Sequence, residues 1–181
     1  MIRRLLAGAA IVLAAAGAHA QQHGHGQPYA GQHARDISSL SAADIAALEA
    51  GHGWGLAKPA ELNGYPGPAH LLELHEELEL DDGQMAAIQS IHDRMRQKAR
   101  ELGAELLAAE ADVDRLFRER KADAGSLRAA LNRAAQAKLA LRETHLAAHL
   151  EVTPLLTEHQ RQTYGMLRGY GGSAHGRHGS Q

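Results

Sequence analysis

The residues of this sequence that could do chemistry are histidines. His145 and His149 are four positions apart. On an α-helix this spacing places two imidazoles on one face, where they can bind the same divalent metal ion. The plainer interpretation is that they are surface or interior residues of the helix, as histidines often are. The pair alone therefore gives only a hypothesis of metal binding.

Three further histidines are expected near this pair. His92 falls in the apolar stripe of a long helix, where stability alone would favour leucine or isoleucine. His70 and His75 lie on the helix that should fold back beside it, five positions apart, so they point about 140° away from each other. The predicted metal site comprises five histidines: His70, His75, His92, His145 and His149. The chain has no cysteine, so its donors would be nitrogen and oxygen, which suit Zn, Ni or Cu(II).

The first twenty residues read as an export signal. A basic start at Met1-Ile2-Arg3-Arg4 is followed by an apolar run and the small-residue sequence Ala18-His19-Ala20. The run is too short to span a bilayer. We therefore expect a periplasmic protein that is soluble after cleavage following Ala20 and is not embedded in a membrane.

Cleavage after Ala20 would create a second possible metal site. The new terminus would be Gln21-Gln22-His23. Its α-amino group, two backbone amides and the His23 imidazole could offer four nitrogens in a square, an arrangement suited to Cu(II) or Ni(II). Cyclisation of Gln21 would block the amine and remove this site.

Composition excludes several other classes of protein. The 181 residues include 13 histidines, 19 Lys+Arg and 21 Asp+Glu, for a formal charge of −2, and only 3% are aromatic. Without cysteine there are no disulfides, thiolate zinc sites or cysteine nucleophiles. The charge gives no reason to expect nucleic-acid binding. The abundance of alanine, leucine, glutamate and arginine predicts an all-α fold.

The pattern along the chain predicts five segments. They are a signal peptide (1–20), a disordered His/Gly/Gln-rich tail (21–36), a short helix with a Pro/Gly-rich segment (37–68), a helical hairpin domain (69–170) and a second disordered tail (171–181). The expected helices run from Ser41 as cap to about Ala50, from 69 to about 80, from 82 to about 122, from Ser126 as cap to about 152, and from 158 to about 167. Residues 56–68 are expected to be irregular because of their prolines and glycines.

The two longest predicted helices should form an antiparallel hairpin. The first has an apolar stripe in steps of three and four: Met85, Ile88, His92, Met95, Ala99, Leu102, Leu106, Ala109, Val113 and Leu116. The second has matching positions: Leu127, Leu131, Ala134, Leu141, His145, Ala148 and Val152. A short turn between such helices makes them neighbours. Because a hairpin is too thin to bury a large core, either flanking helices cover it or two chains pair; we expect a homodimer, cradle-like or four-helix.

Two capping motifs bracket the hairpin. Leu156-Thr157-Glu158-His159-Gln160 reads L-T-x-x-Q, in which Thr157 caps a helix and Gln160 reaches back to the cap. Leu80-Asp81-Asp82-Gly83-Gln84 repeats the device with Asp81 as cap. This arrangement, over about Ala69 to Tyr170, resembles the LTxxQ family: the Spy/CpxP-type periplasmic chaperones and the related periplasmic heavy-metal sensor and resistance proteins.

The resemblance implies one of two functions. Sensor members carry metal ligands on three hairpin helices, and His75, His92 and His149 fall at or near those positions, whereas Leu71 stands where the sensors have a histidine. This implies metal binding in the envelope metal-stress response, with a membrane-bound regulator as a possible partner. The alternative is a Spy/CpxP-like, ATP-independent chaperone that holds unfolded clients and needs no metal. The sequence has no motif of a known hydrolase or nucleotide-binding enzyme, so an enzyme is not expected.

Overall fold

The computed structural model describes residues 28–170, and all regular structure in this range is helical. The α-helices are α1 (Ala42–Ala50), α2 (Lys58–Glu61), α3 (Pro68–Glu73), α4 (Asp82–Arg118), α5 (Ala124–Val152) and α6 (Glu158–Leu167). Short 3-10 turns occupy Gln32–Ala34 and Thr153–Leu155. The all-α prediction is confirmed for these residues. The predicted signal peptide, the Gln21-Gln22-His23 site and the tail 171–181 lie outside them.

Helices α4 and α5 pack along each other as the predicted antiparallel hairpin. Their register is visible in two ion pairs that cross between them. Arg94 Nη2 lies 2.7 Å from Glu151 Oε2, and Arg133 Nη2 lies 2.8 Å from Asp112 Oδ2. Such exposed pairs contribute little to stability. They place His92 of α4 near the end of α5 that carries His149.

The buried stripe of α5 differs from the predicted one in its distal half. Leu131 is 49% exposed, while Ala130 and Ala137 are buried. A straight helix advances 3.6 residues per turn, so a strict 3.5-residue repeat drifts off the contact line. Alanines therefore take the buried positions there, and the expected leucine lies outside the contact.

Several predicted helix ends are corrected by the structure. Helix α3 stops at Glu73 instead of continuing to about 80, and turns follow it up to Glu79, which has a φ of 49°. Helix α4 ends at Arg118 and not near 122. The cap of α5 is Asp123, whose carboxylate accepts from the Gly125 and Ser126 amides, whereas Ser126 had been the predicted cap.

The prediction that residues 56–68 are irregular is wrong in part, because helix α2 lies within them. Its proline, Pro59, stands in the first turn, where a helix tolerates the missing N–H.

The segment before the hairpin, here called the arm (residues 36–57), folds onto it. Ser41 and Asp44 form the predicted capping box of α1. Ile37, Leu40 and Leu48 of the arm are buried together with hairpin residues, in a cluster that also contains Ala99, Leu102, Leu106, Ala109, Ala134, Ala137 and Leu141. Of the two ways to cover a thin hairpin, the structure shows coverage by a flanking segment. The homodimer stays a prediction.

The two predicted capping motifs meet in space at the open end of the hairpin. Asp81 and Thr157 both cap as expected, each with its glutamine returning to the cap. In addition, the side-chain amides of Gln84 and Gln160 donate to each other over 2.9 and 3.0 Å. Gln84 also donates to the Leu155 carbonyl. The motifs therefore join the starts of α4 and α6 as well as capping them.

Candidate metal-binding pocket

A pocket of about 930 Å³ lies between the arm, α2, α3 and the hairpin. Its lining includes five histidines, two carboxylates and two cations: His52, His70, His92, His145, His149, Glu61, Glu73, Lys58 and Arg96. Four of the five predicted ligands are among them. Over residues 28–170, however, no three His, Asp or Glu side chains are grouped so that they could hold a metal ion as they stand. Binding would therefore require side-chain movement within the pocket.

His145 is the most deeply buried of these histidines. Its side chain is on the hairpin seam, it is 3% exposed, and its Nε2 is buried with no hydrogen-bond partner. Burial, followed by the nearby His149, lowers the pKa of His145 to about 4. The imidazole is thus neutral at physiological pH, which is the form that binds metals. An unpartnered buried polar atom costs about 1–3 kcal/mol, so its presence needs an explanation.

His149, one helical turn further on, is held in a defined tautomer. Its Nδ1 lies 2.8 Å from the backbone carbonyl oxygen of Tyr65. Because a carbonyl can only accept, Nδ1 carries a hydrogen, and in the neutral imidazole the lone pair is then on Nε2. Metal-binding histidines commonly have this arrangement, with one ring N–H fixed by a carbonyl and the other nitrogen on the ion.

His92 faces the same pocket from α4. Its Nδ1 is 3.3 Å from Asp93 Oδ1, and its side chain is 17% exposed. The three predicted ligands His92, His145 and His149 therefore line one pocket, although their side chains do not form a metal site.

The other two predicted ligands are placed less favourably. His70 lies in the pocket, but Arg168 donates to its Nε2 over 3.1 Å and its Nδ1 donates to Glu73 over 2.8 Å, so both ring nitrogens are engaged. His75 lies outside the pocket, with Nδ1 donating to the Leu72 carbonyl. Leu71 is fully buried in the core.

Glu61 is a pocket residue that sequence reasoning did not identify. Tyr164, which is 2% exposed, donates its hydroxyl to Glu61 Oε2 over 2.7 Å. Burial, followed by this carboxylate, raises the pKa of Tyr164, so the phenol remains a donor. The two residues are 103 positions apart. In the sequence, only the unusual Gly64-Tyr65-Pro66-Gly67-Pro68 stretch beside Glu61 could have indicated that this segment belongs to a site.

The fold and the paired capping motifs define an all-α hairpin protein. The LTXXQ motif family protein model matches residues 69–167, over half of the chain, and the chain belongs to this family. Proteins of the family are generally non-enzymatic and chaperone- or sensor-like, and typically periplasmic. No curated protein and no solved structure shows a significant match to the chain. Between residues 28 and 170, no helix is both long and apolar enough to cross a bilayer.

Proposed function

We propose that this protein is a periplasmic metal-binding protein of the envelope metal-stress response. It binds Zn, Ni or Cu(II) through His145 and His149, with His92 as the third histidine. The observation that carries this proposal is the unpartnered, buried Nε2 of His145, one helical turn from a His149 whose lone pair is on Nε2.

The chemistry of this donor set fits a divalent transition metal. Both α5 imidazoles are nitrogen donors, and a bound ion would satisfy the His145 nitrogen that now has no partner. His92 must rotate from its contact with Asp93 to join them. That contact is to an exposed carboxylate, so breaking it costs little.

Isothermal titration calorimetry of the mature protein with Zn²⁺, Ni²⁺ and Cu²⁺ tests the proposal. Replacing both His145 and His149 by alanine should weaken binding by more than about tenfold, since even outer-shell partners of metal ligands are worth that much. His75→Ala, which changes an exposed histidine outside the pocket, is the matched control and should leave the affinity unchanged. Circular dichroism checks that each variant is folded. Equal affinity in the wild type and the double variant contradicts the proposal.

A second candidate function, chaperoning, is favoured by a different feature of α5. Three leucines outside its buried stripe are largely exposed: Leu131 (49%), Leu139 (67%) and Leu150 (61%). At 100° per residue they share one side of the helix, together with the exposed Arg128 and Arg142. A surface of apolar groups flanked by cations is suited to unfolded chains, and it needs no metal.

Aggregation of an unfolding client in the presence of metal-free protein tests this second function. The variant Leu139→Gln/Leu150→Gln should suppress aggregation less well than the wild type, because it removes apolar contact area without touching the core. The His145→Ala/His149→Ala variant should retain suppression. Wild-type protein that fails to suppress aggregation, or a leucine variant that works equally well, argues against chaperoning by this surface.

A further inference from the structure

We propose that the pocket binds a single-chain carboxylate amphiphile, a molecule with a flexible apolar chain and an anionic head group. The chain would lie against Trp54 and the other apolar side chains of the pocket, and Lys58 and Arg96 would hold the head group. This binding needs no metal ion, so it goes beyond the proposed metal function and does not depend on it.

The pocket has the size and the apolar lining of a site for an organic ligand. Its volume of about 930 Å³ falls within the range of about 300–1,000 Å³ that is usual for such sites. Its larger apolar side chains come from separate segments of the chain: Trp54, Leu62, Leu72, Met95 and Tyr170. Leu62 is 55% exposed and Tyr170 is 37% exposed, so part of this lining is apolar surface in contact with water. A ligand that covers it gains the free energy of burying apolar area.

Trp54 is held at the pocket in a strained backbone conformation. Its φ of 45° lies in the left-handed region, which is unfavourable for a large side chain. The indole N–H donates to Asp44 Oδ1 over 2.8 Å, and Lys138 Nζ lies 5.4 Å from the centroid of the ring. Backbone strain of this kind is concentrated at functional sites such as ligand clamps. The two contacts fix the indole as one wall of the pocket.

Two cations of the pocket have no partner of opposite charge. Lys58 is exposed in the first turn of α2, and Arg96 uses its Nε to donate to the Ala50 carbonyl over 3.2 Å. Within residues 28–170, neither Lys58 nor Arg96 lies within ion-pair distance of a carboxylate. Both remain available to an anion.

The two carboxylates of the pocket are engaged by other side chains. Glu61 follows Lys58 by three residues on α2, but its Oε2 accepts from the Tyr164 hydroxyl over 2.7 Å. Glu73 Oε2 lies 2.8 Å from His70 Nδ1. An anionic head group can therefore pair with Lys58 and Arg96 without displacing an ion pair of the protein.

The apolar lining and the two cations together select the class of ligand. A small inorganic anion would leave the apolar lining in water, and an uncharged hydrocarbon would leave both cations without a partner. A molecule with an apolar chain at one end and a carboxylate at the other satisfies both features.

The fluorescence of Trp54, the one tryptophan of the sequence, tests this inference. Decanoate, which is transparent at the excitation wavelength of tryptophan, is titrated into the metal-free mature protein. The emission should shift to shorter wavelength and saturate as the chain covers the indole. Decanol and decylammonium carry the same chain with no charge and with a positive charge. Decanoate should bind about fivefold more tightly than either, which is the scale of one or two ion pairs near the surface.

Variants test the two ends of the ligand separately. Lys58→Gln should weaken decanoate binding about threefold to fivefold, and Lys58→Arg should retain it. Leu62→Gln should weaken both decanoate and decanol, because it removes apolar contact area. The matched controls are Lys98→Gln and Leu150→Gln, which change an exposed cation and an exposed leucine outside the pocket, and both should bind as the wild type does.

Three results would overturn the inference: no saturable change with decanoate, equal affinity for decanoate and decanol, or a Lys58→Gln variant that binds decanoate like the wild type. Circular dichroism of each variant shows whether a loss of binding reflects the site or the fold. Because the titration uses metal-free protein, a failure to bind decanoate leaves the metal proposal standing. Likewise, a protein that binds no metal ion can still bind decanoate.

Discussion

His70 and His149 line the same pocket, yet their hydrogen bonds give them different capacities to bind a metal ion. Both ring nitrogens of His70 are engaged, one by Arg168 and one by Glu73. His149 uses only Nδ1, on the Tyr65 carbonyl. At the scale of single residues, the partner of each ring nitrogen therefore decides which histidine can be a ligand, and residue type or spacing does not.

Asp44 illustrates a residue whose role is structural and depends on pH. Its carboxylate accepts from the Ser41 hydroxyl and amide and from the Trp54 indole N–H. The side-chain hydrogen bond with Ser41, followed by that with Trp54, lowers the pKa of Asp44 to about 2. A lowered pKa in the folded state stabilises the fold above the ordinary pKa of 3.8, and this contribution is lost as the pH falls from about 4 towards 2.

We therefore expect Asp44→Asn to lower the free energy of unfolding at pH 7, and the difference from wild type to shrink below pH 4. Chemical denaturation at a series of pH values measures both effects. Glu49→Gln, on the same helix α1 but exposed, is the control and should change stability little at any pH. A deficit of Asp44→Asn that stays the same from pH 7 to pH 3 would contradict the proposed cause.

At the scale of elements, the crossing of α1 over α4 depends on Gly103. A Cβ added there would lie 2.5 Å from the backbone carbonyl oxygen of Leu48. Backbone cannot move aside as a flexible side chain can, so the two helices would have to separate. Glycine within a long helix is otherwise unfavourable by about 1 kcal/mol relative to alanine. The close approach of the arm is the physical reason that glycine fits at this position.

Gly103→Ala should accordingly destabilise the protein by about 1–3 kcal/mol, the usual cost of overpacking, in spite of alanine's better helix propensity. Gly165→Ala in α6 is the matched comparison, because its added Cβ meets nothing within 4 Å; it should stabilise by roughly 0.5–1 kcal/mol. Urea denaturation of both variants gives the two signs. If Gly103→Ala is also stabilising, the arm does not pack on α4 as described.

At the scale of the whole molecule, the arm converts a thin hairpin into a protein with an internal core. The core cluster combines Ile37, Leu40 and Leu48 of the arm with residues of both long helices. A second cluster of buried residues forms where the capping motifs meet: Leu71, Leu78, Ile88, Val152, Leu156 and Tyr164. Helices α4 and α5 contribute residues to the pocket and to both clusters. Along these two helices, the pocket residues lie between those of the two clusters. The segment preceding the family region is therefore part of the core and of the candidate site.

The sequence alone determined the features that depend on neighbours within about one helical turn. The capping boxes at Ser41, Asp81 and Thr157 formed as predicted, and α6 has the predicted bounds. Local hydrogen bonds of this kind are decided by residues three or four positions apart, which a sequence displays directly. The burial of His145 followed from its place in the apolar stripe for the same reason.

Only the tertiary structure decided which distant groups share a site. Tyr65 lies 84 positions from His149, and Gln84 lies 76 positions from Gln160. Helical periodicity contains no information about such pairs, since it describes the faces of one helix and not how the turns between helices direct the chain. His75 was consequently expected beside the other ligands and lies outside the pocket, whereas Glu61 was overlooked and lies within it.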